Sequence, residues 1–444
     1  MPHIRATIKT RRAFMKQSAM AAGMFTLLNA CGHGFKSWKF PLDPDAIIKF
    51  RKGFNGQIIL PNNAEYETAR RTLLLDPEID KHPALIAQCK NEEDVLRCID
   101  FAHQHELEVA VRSGNHSGLG WGTCEKGIVI DLSKMKGVTV DPVKQTAQVT
   151  TGSNAEEILA VTAPYGLAPV LGECGSVGAG LTLGGGLGYL SGKYGATCDN
   201  LLSARIITAD GRTLKTSATT NQDLFWAIRG GGGNFGVVTA FEYQLHPVNE
   251  VLAGRFVYPI RKASALLRFF REFMLAAPDE LQGDCYYAKQ GEGSFEVAFV
   301  YSGDLNKGES LLNTFRTFMK PDQDWVKRRP YSEIYRMAPD IAPHNVNIPC
   351  PFQSGKGTYI EHLSDEVIDL ILAQFEQAPP SCQLFSVLSH YMHGEVCRVA
   401  TDATAFELRK AGAIDIAFSI GWDDAKKAFA CMSWLNKTFE GLQP

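Results

Sequence analysis

The sequence predicts an α+β protein of two domains. Three observations carry that prediction. The chain has 444 residues, and at about 150 residues per domain that length allows two or three. Strand-like and helix-like runs alternate along it. At Pro247 the texture changes: glycine clusters before it, whereas beyond it glycine thins and aromatics become frequent (Phe256, Tyr258, Phe269, Phe270, Tyr286, Tyr287, Phe295, Phe299, Tyr301).

Composition bounds the class. Apolar residues make up 45% and charged residues 21%, ordinary values for a soluble globular chain, which excludes a wholly disordered or collagen-like one. A chain this long can bury its core without disulfide staples. Its 45 Lys+Arg against 48 Asp+Glu give a net charge of −3, without the basic excess that nucleic-acid binding requires. The 11 cysteines are an odd number and none forms a C-x-x-C pair, so no zinc or thioredoxin motif is expected and disulfide connectivity is not legible. Most read as small buried apolar residues.

Residues 1–30 read as an address rather than as fold. No acidic residue precedes Asp43, while Arg5, Lys9, Arg11, Arg12 and Lys16 are basic. Thr10-Arg11-Arg12-Ala13-Phe14-Met15-Lys16 looks like a bacterial twin-arginine signal, followed by the uncharged stretch Ser18 to Ala30. That stretch is too short to span a bilayer, which takes about 20 residues. It ends at Leu28-Asn29-Ala30-Cys31, which resembles a lipoprotein cleavage box with Cys31 as the lipid-bearing residue, although Asn29 stands where a small residue is usual. A basic, flexible tail is the plainer alternative. The expected location is exported: periplasmic, or anchored as a lipoprotein.

The elements follow in order. Residues 50–80 form an irregular approach segment. Asn91 can cap a helix carrying Val95, Leu96, Ile99 and Ala102. Leu107, Val109 and Val111 alternate as a strand that runs into the loop Arg112–Ser117. Strands are expected over Ile128–Leu132, Val138–Val140 and Ala147–Thr150. Ser153 and Glu156 form a capping box for a helix that Gly166 stops. Asp210-Gly211 turns a hairpin, Asn221 to Arg229 is a short helix, and Val237–Leu245 is a strand ended by His246-Pro247. Beyond it, strands over Phe295–Tyr301, Leu384–Met392 and Ile414–Trp422 alternate with helices over Ala263–Leu275 and Asp365–Gln377.

The glycine runs carry the chemistry. Gly231 to Gly236 spells G-x-G-x-x-G, but a strand follows it instead of a helix, so a nicotinamide-binding Rossmann unit is rejected. Gly355-Lys356-Gly357 lacks the Ser/Thr of a P-loop, and no G-x-S-x-G occurs. Any single run reads as a tight turn. Three glycine-bearing loops at strand ends point instead to a diphosphate cradled by backbone N–H groups.

Four segments, in order, then carry a family resemblance: Val111–Ser117; Ile128–Ser133 with Gly137-Val138; Gly172–Leu181 into Gly184–Gly188; and Asp223–Gly230 through Phe235–Val238. The stretch from His82 to Pro247 resembles the flavin-binding domain of the vanillyl-alcohol oxidase/p-cresol methylhydroxylase superfamily, and within it the berberine bridge enzyme-like oxidases. The resemblance implies a two-domain FAD-linked oxidase fold, with the flavin-binding domain over residues 50–250 (core 82–247) and a substrate domain over 251–444, an antiparallel sheet covered by helices. It implies FAD held by Arg112, Ser113, Gly114, Asn115, His116 and Ser117, by Cys174, Ser176, Val177, Gly178, Gly180 and Leu181, by Gly185, Gly186 and Gly188, and by Gly236 and Val238. In such relatives the loop histidine, here His116, bonds the flavin 8α-methyl carbon, and a cysteine at the position of Cys174 also bonds C6 of the ring. Alone, His116 reads as a solvated loop histidine and Cys174 as a buried thiol. Asn115 replaces a glycine common before the histidine, and asparagine tolerates a left-handed backbone.

The resemblance further implies hydride transfer from an alcohol, sugar hemiacetal or phenol to the flavin, with O2 or another acceptor reoxidising it. No residue is fixed as the base. Alternation over Leu384–Met392 puts Ser386, Leu388 and His390 on one face, and His390, with Glu395, is the candidate catalytic pair; Tyr391 and His393 are polar neighbours. Relatives of this kind usually continue past the position of Pro444, with a Tyr-x-Asn segment that supplies the base in several sugar oxidases. This chain ends at Gly441-Leu442-Gln443-Pro444 without it. The alternatives are therefore an exported flavin- or ligand-binding protein without turnover, from a truncated or degenerate gene, or a dehydrogenase that uses another acceptor. Oligomeric state is not legible.

Overall fold

Asn91 does cap its helix. Its side chain accepts from the Asp94 amide, and helix Glu92–His105 buries Val95, Cys98, Ile99 and Ala102. In the computed structural model, which describes residues 42–72, 79–289, 293–336 and 350–442, this helix connects strands Leu85–Gln88 and Val109–Arg112. Both run parallel to Ile128–Asp131 between them, and Gln57–Ile59 adds an antiparallel edge. The expected address segment 1–30 and Cys31 lie outside the described residues. Strand Val109–Arg112 turns its valines outward and buries Ala110 and Arg112, because Arg112 pairs with the buried Asp131 on the neighbouring strand.

A second sheet is wholly antiparallel, in the order Val138–Asp141, Thr146–Thr150, Val237–Gln244, Leu201–Ile207, Thr213–Ser217. The last two strands are joined at Asp210-Gly211, where Gly211 takes φ 76°. The capping box sits one residue later than expected. Asn154 and Glu157, not Ser153 and Glu156, exchange hydrogen bonds at the start of helix Ala155–Thr162, because the Ser153 hydroxyl is engaged by the Gly137 amide. A 3-10 turn, Ala163–Tyr165, intervenes before Gly166, which ends it at φ 67°. His246-Pro247 does not simply end a strand; it pairs with Leu167–Ala168.

Beyond residue 250 one antiparallel sheet dominates. Its order is Gln323–Asp324, Glu250–Pro259, Ser294–Tyr301, Leu281–Lys289, Gln383–Ser389, Ile414–Trp422, Phe352–Ile360, with Lys327–Pro330 also paired to Glu250–Pro259. Period-two alternation gives this sheet two different faces. On one, Phe256, Phe299, Leu388, Ile416 and Phe418 meet Leu266 and Phe270 of helix Ala263–Leu275, Phe315 of Leu305–Phe318, Ile371 of Asp365–Glu376 and Leu435 of Ala428–Gly441. On the other, Val251, Ala253 and Val300 pack into the core under the second sheet. The disulfide Cys382–Cys431 ties the last helix to the sheet. The architecture is α+β, and Pro44–Pro444 makes one compact unit.

Candidate active site

Two backbones meet without side chains between them. A Cβ on Gly114 would lie 2.3 Å from the Gly178 amide nitrogen, and one on Gly178 equally close to that of Gly114. Only glycine permits that approach. It brings the loop after strand Val109–Arg112 against the loop that precedes the short helix Gly180–Leu183. As a result the His116 Nε2 lies 2.9 Å from the Ser176 hydroxyl, and the Cys174 sulfur 3.1 Å from the same hydroxyl. Asn115 takes the left-handed conformation, φ 59°, and its amide donates to the Arg71 carbonyl. Burial holds the His116 pKa below the usual range, so the imidazole is neutral at pH 7.

This cradle has unused hydrogen-bonding capacity. Arg112 Nη1 and Asn115 Oδ1 are buried without a partner among the described residues, and such an orphan costs about 1–3 kcal/mol. At Gly180 no protein atom lies within 4 Å of where a Cβ would stand, so packing does not explain that glycine. Spare polar atoms, a side-chain-free backbone and an unprotonated imidazole fit a diphosphate ligand with an attachable ring.

A second constellation adjoins the first. Glu173, next to Cys174, places Oε1 3.6 Å from His390 Nε2. The other ring nitrogen, Nδ1, lies 3.8 Å from Asp415 Oδ2 and 3.2 Å from the Ser389 hydroxyl. The His390 amide donates to Asp284 Oδ1, and Tyr286 donates to Asp284 Oδ2. Tyr189 donates to the Glu173 carbonyl and stands edge-on to Tyr335, closing the cluster off. Burial, reinforced by the Asp284 charge, pushes Glu173 up to about 8; burial likewise raises Asp284, against the pull of His390. For His390 burial opposes the charge, but Glu173, Asp415 and Asp284 outweigh it and carry the imidazole to about 9. At an effective dielectric of about 20, unit charges at the His390–Glu173 distance attract by about 5 kcal/mol, comparable with the several kcal/mol that burying an ion costs. Glu173, Asp284 and His390 therefore titrate as one proton-sharing set.

Comparison with known proteins bears on these loops directly. The FAD binding domain family matches residues 83–217. An FAD-linked oxidoreductase of Dictyostelium discoideum is 32% identical over 319 residues, covering 71% of this chain and 68% of its own. The chain belongs to the FAD-linked oxidoreductases. Its fold is shared with 6-hydroxy-D-nicotine oxidase of Arthrobacter nicotinovorans (TM-score 0.77, 24% identity, 88% of this chain and 86% of that one). It is shared too with a berberine bridge enzyme variant, a reticuline dehydrogenase (TM-score 0.78, 21% identity, 90% and 84%). The expected likeness to FAD-linked oxidases of the berberine bridge enzyme kind holds in the fold, and the architecture is α+β as expected.

In this FAD-linked oxidoreductase the expected cofactor residues fall into two groups. Arg112 to Ser117 and Cys174 to Leu181 gather around the Gly114–Gly178 contact: Ser113 bonds the Thr151 carbonyl, Ser117 accepts from the Trp121 amide, and Val177 accepts from Ala155. The remainder are explained by packing within the protein. A Cβ would strike the Phe406 ring at Gly185, the Thr197 side chain at Gly186, the Leu171 carbonyl at Gly188 and the Ile207 carbonyl at Gly236. Val238 is buried, and its carbonyl accepts from Thr151.

The expected catalytic pair is divided. His390 joins the cluster, but not on the face of Ser386 and Leu388. The strand stops at Ser389, and a left-handed backbone at His390, φ 54°, turns its ring to the face that carries Asp284 and Asp415, whereas Leu388 points into the helix-covered core. Glu395 is outside the cluster: it begins the turn Glu395–Arg398 and pairs with Arg398. Tyr391 is core, edge-on to Phe270. His393 borders a small cavity with His390, Gln282 and Ser191.

Sequence reasoning missed Glu173, Asp284, Asp415 and Tyr189. A signal existed. Glu173 is the one charge between Leu171 and Gly188, and Asp415 the one charge in Ile414–Trp422; a charge in an apolar run is costly unless it is used.

Proposed function

We propose that this FAD-linked oxidoreductase oxidises a small-molecule alcohol, hemiacetal or phenol, with the FAD bonded through His116 and also through Cys174, and with O2 as the acceptor. The observation that carries the reading is the adjacency of Glu173 to Cys174 within reach of His390. A proton-handling set thus borders the loop that would face the flavin ring. FAD, when bound, supplies the two-electron acceptor for the substrate hydride. The protein's own residues do the rest. Arg112 to Ser117 and Ser176 to Gly180 would hold the diphosphate. Glu173, ionised above about pH 8, takes up the substrate hydroxyl proton beside the His390 imidazolium, which keeps its own proton up to about pH 9. Tyr189, Tyr286 and Tyr335 limit water around them.

The test is an intact mass and a visible spectrum of acid-precipitated protein, followed by peroxide assays with alcohols, oligosaccharides and phenols. Flavin that stays with the precipitate, together with peroxide release, supports the proposal. Attached flavin with no peroxide but with reduction of an artificial acceptor would replace it with a dehydrogenase. Attached flavin with neither would leave a binding protein. Colourless protein that does not take up FAD would sink the attachment.

Export and a lipid at Cys31 belong to the same proposal. They rest on the paired arginines Arg11 and Arg12 and the uncharged stretch that follows, and the Cys382–Cys431 disulfide supports an oxidising compartment. Among the described residues no helix is long and apolar enough to cross a membrane. Cell fractionation with metabolic palmitate labelling tests it: unlabelled cytoplasmic protein would refute export and anchoring together.

A further inference from the structure

The cysteines of this chain are not alike. Cys124, Cys198 and Cys285 are buried, and burial drives their thiols upward. Cys174 is only half-buried and lies in the glycine loop, 3.1 Å from the Ser176 hydroxyl, which is itself 2.9 Å from His116 Nε2. A hydroxyl owns one proton and two lone pairs, so it can accept from one neighbour while it donates to another. Here one neighbour is a thiol, which has a proton to give. The other is the Nε2 of an imidazole, which in the tautomer protonated at Nδ1 turns a lone pair to the hydroxyl. Gly175 sits between the cysteine and the serine, and a Cβ there would strike the Tyr335 carbonyl at 2.4 Å. The loop is pinned in the shape that lines the three groups up.

We propose that Ser176 is a proton relay that ionises Cys174. The thiol S–H bond breaks and its proton passes to the Ser176 oxygen as the serine's own proton passes to His116 Nε2. The net change is one proton moved from sulfur to imidazole, with no electrons exchanged and no external reactant. The product is a thiolate beside an imidazolium, a minor form because burial disfavours the charged ring, and this thiolate is the nucleophile. Ser176 belongs to the loop that would hold the cofactor, and toward the sulfur it is a positioning residue that acts through Cys174. The proposal deepens the cofactor reading above in assigning how the sulfur becomes reactive toward an electrophilic ring, but the relay itself stands on protein geometry alone.

The experiment uses the full-length protein and its S176A and S176T variants, with iodoacetamide as the probe and peptide mapping of Cys174 as the readout. If Cys174 in the wild type refuses label even when denatured, it is already bonded. S176A is then expected to leave most Cys174 open to label while the flavin still survives acid through His116, and S176T, which keeps the hydroxyl, is expected to restore attachment; full attachment in S176A overturns the relay. If Cys174 of the wild type labels when denatured, the second flavin bond is absent and that part of the cofactor reading fails. The relay is then tested in the native protein: labelling at pH 7 should slow about 10-fold in S176A, with the midpoint of its pH profile moved upward and S176T near wild type. An unchanged rate and midpoint overturn it. The native labelling rate of Cys397, half-buried and remote in sequence, should be the same in all three proteins, which separates lost relay from lost fold.

Discussion

His390 Nε2 lies 3.6 Å from Glu173 Oε1, a contact between the turn that ends one strand of the large sheet and the glycine loop of the flavin-binding part. It joins the two halves of the candidate site in one ionisable pair. Removing the Glu173 charge while keeping its shape, as in E173Q, should lower the His390 pKa from about 9 toward the ordinary imidazole range, because Glu173 is the largest of the charges that raise it. Turnover should fall about 10²–10⁴-fold, the usual share of a general acid–base group, with the flavin still attached. Imidazole NMR and steady-state assays check both; full activity in E173Q would remove Glu173 from the chemistry.

The same cluster makes stability depend on pH. Both His390 and Glu173 hold their protons more tightly folded than unfolded. A raised folded-state pKa means that the contribution is complete below the unfolded value and is lost as pH rises through the folded one. For His390 the window runs from about 6.5 to about 9. The guanidinium midpoint should therefore drop between pH 6 and pH 9, with on the order of 3 kcal/mol of unfolding free energy lost through His390 alone. H390Q should flatten that drop. A midpoint that climbs over this range contradicts the cluster as described.

The contact between Gly114 and Gly178 gives a test of the cofactor cradle. An added methyl in either would stand 2.3 Å from a backbone nitrogen of the other loop, so the loops must part. G114A should cost about 1–3 kcal/mol and, more tellingly, separate His116 from Ser176. The expected readout is loss of visible flavin absorbance, or flavin that acid now releases. G233A is the control, since no protein atom lies within 4 Å of a Cβ there.

How far the sequence spoke for itself follows from which interactions are local. Asn91, Gly166, Gly211 and the left-handed Asn115 were readable because a cap or a positive φ is set by a few neighbouring residues. Strand Ile414–Trp422 and helix Ala263–Leu275 appear with the bounds their periodicity gave. The capping box slipped by one because Ser153 is claimed by Gly137, a partner distant in sequence. His390 was found but placed on the wrong face, since strand alternation cannot foresee a left-handed residue just past the strand end. Glu173, Asp284 and Asp415 come from three separate segments, and only the packing of the large sheet onto the glycine loop brings them together. At Gly185, Gly186, Gly188 and Gly236 two reasons for glycine coincide: close backbone packing and anion binding both call for a missing side chain.

Cys382 and Cys431 supply the last prediction. The bond spans 49 residues, a segment that includes the sheet strands Gln383–Ser389 and Ile414–Trp422. Loop-closure entropy for that length corresponds to about 4 kcal/mol at 25 °C, and removal of a native disulfide usually costs about 2–5. C431S should thus lower the denaturant midpoint by an amount in that range. Because Cys431 is buried in the helix-covered core, whereas Glu173 meets His390 on the opposite face of that sheet, beside Asp284 and Asp415, flavin attachment and its spectrum should survive under native conditions. Reductant should destabilise the wild type to the same extent and leave C431S unchanged. If reductant shifts both proteins equally, the bridge is not what holds the last helix to the sheet.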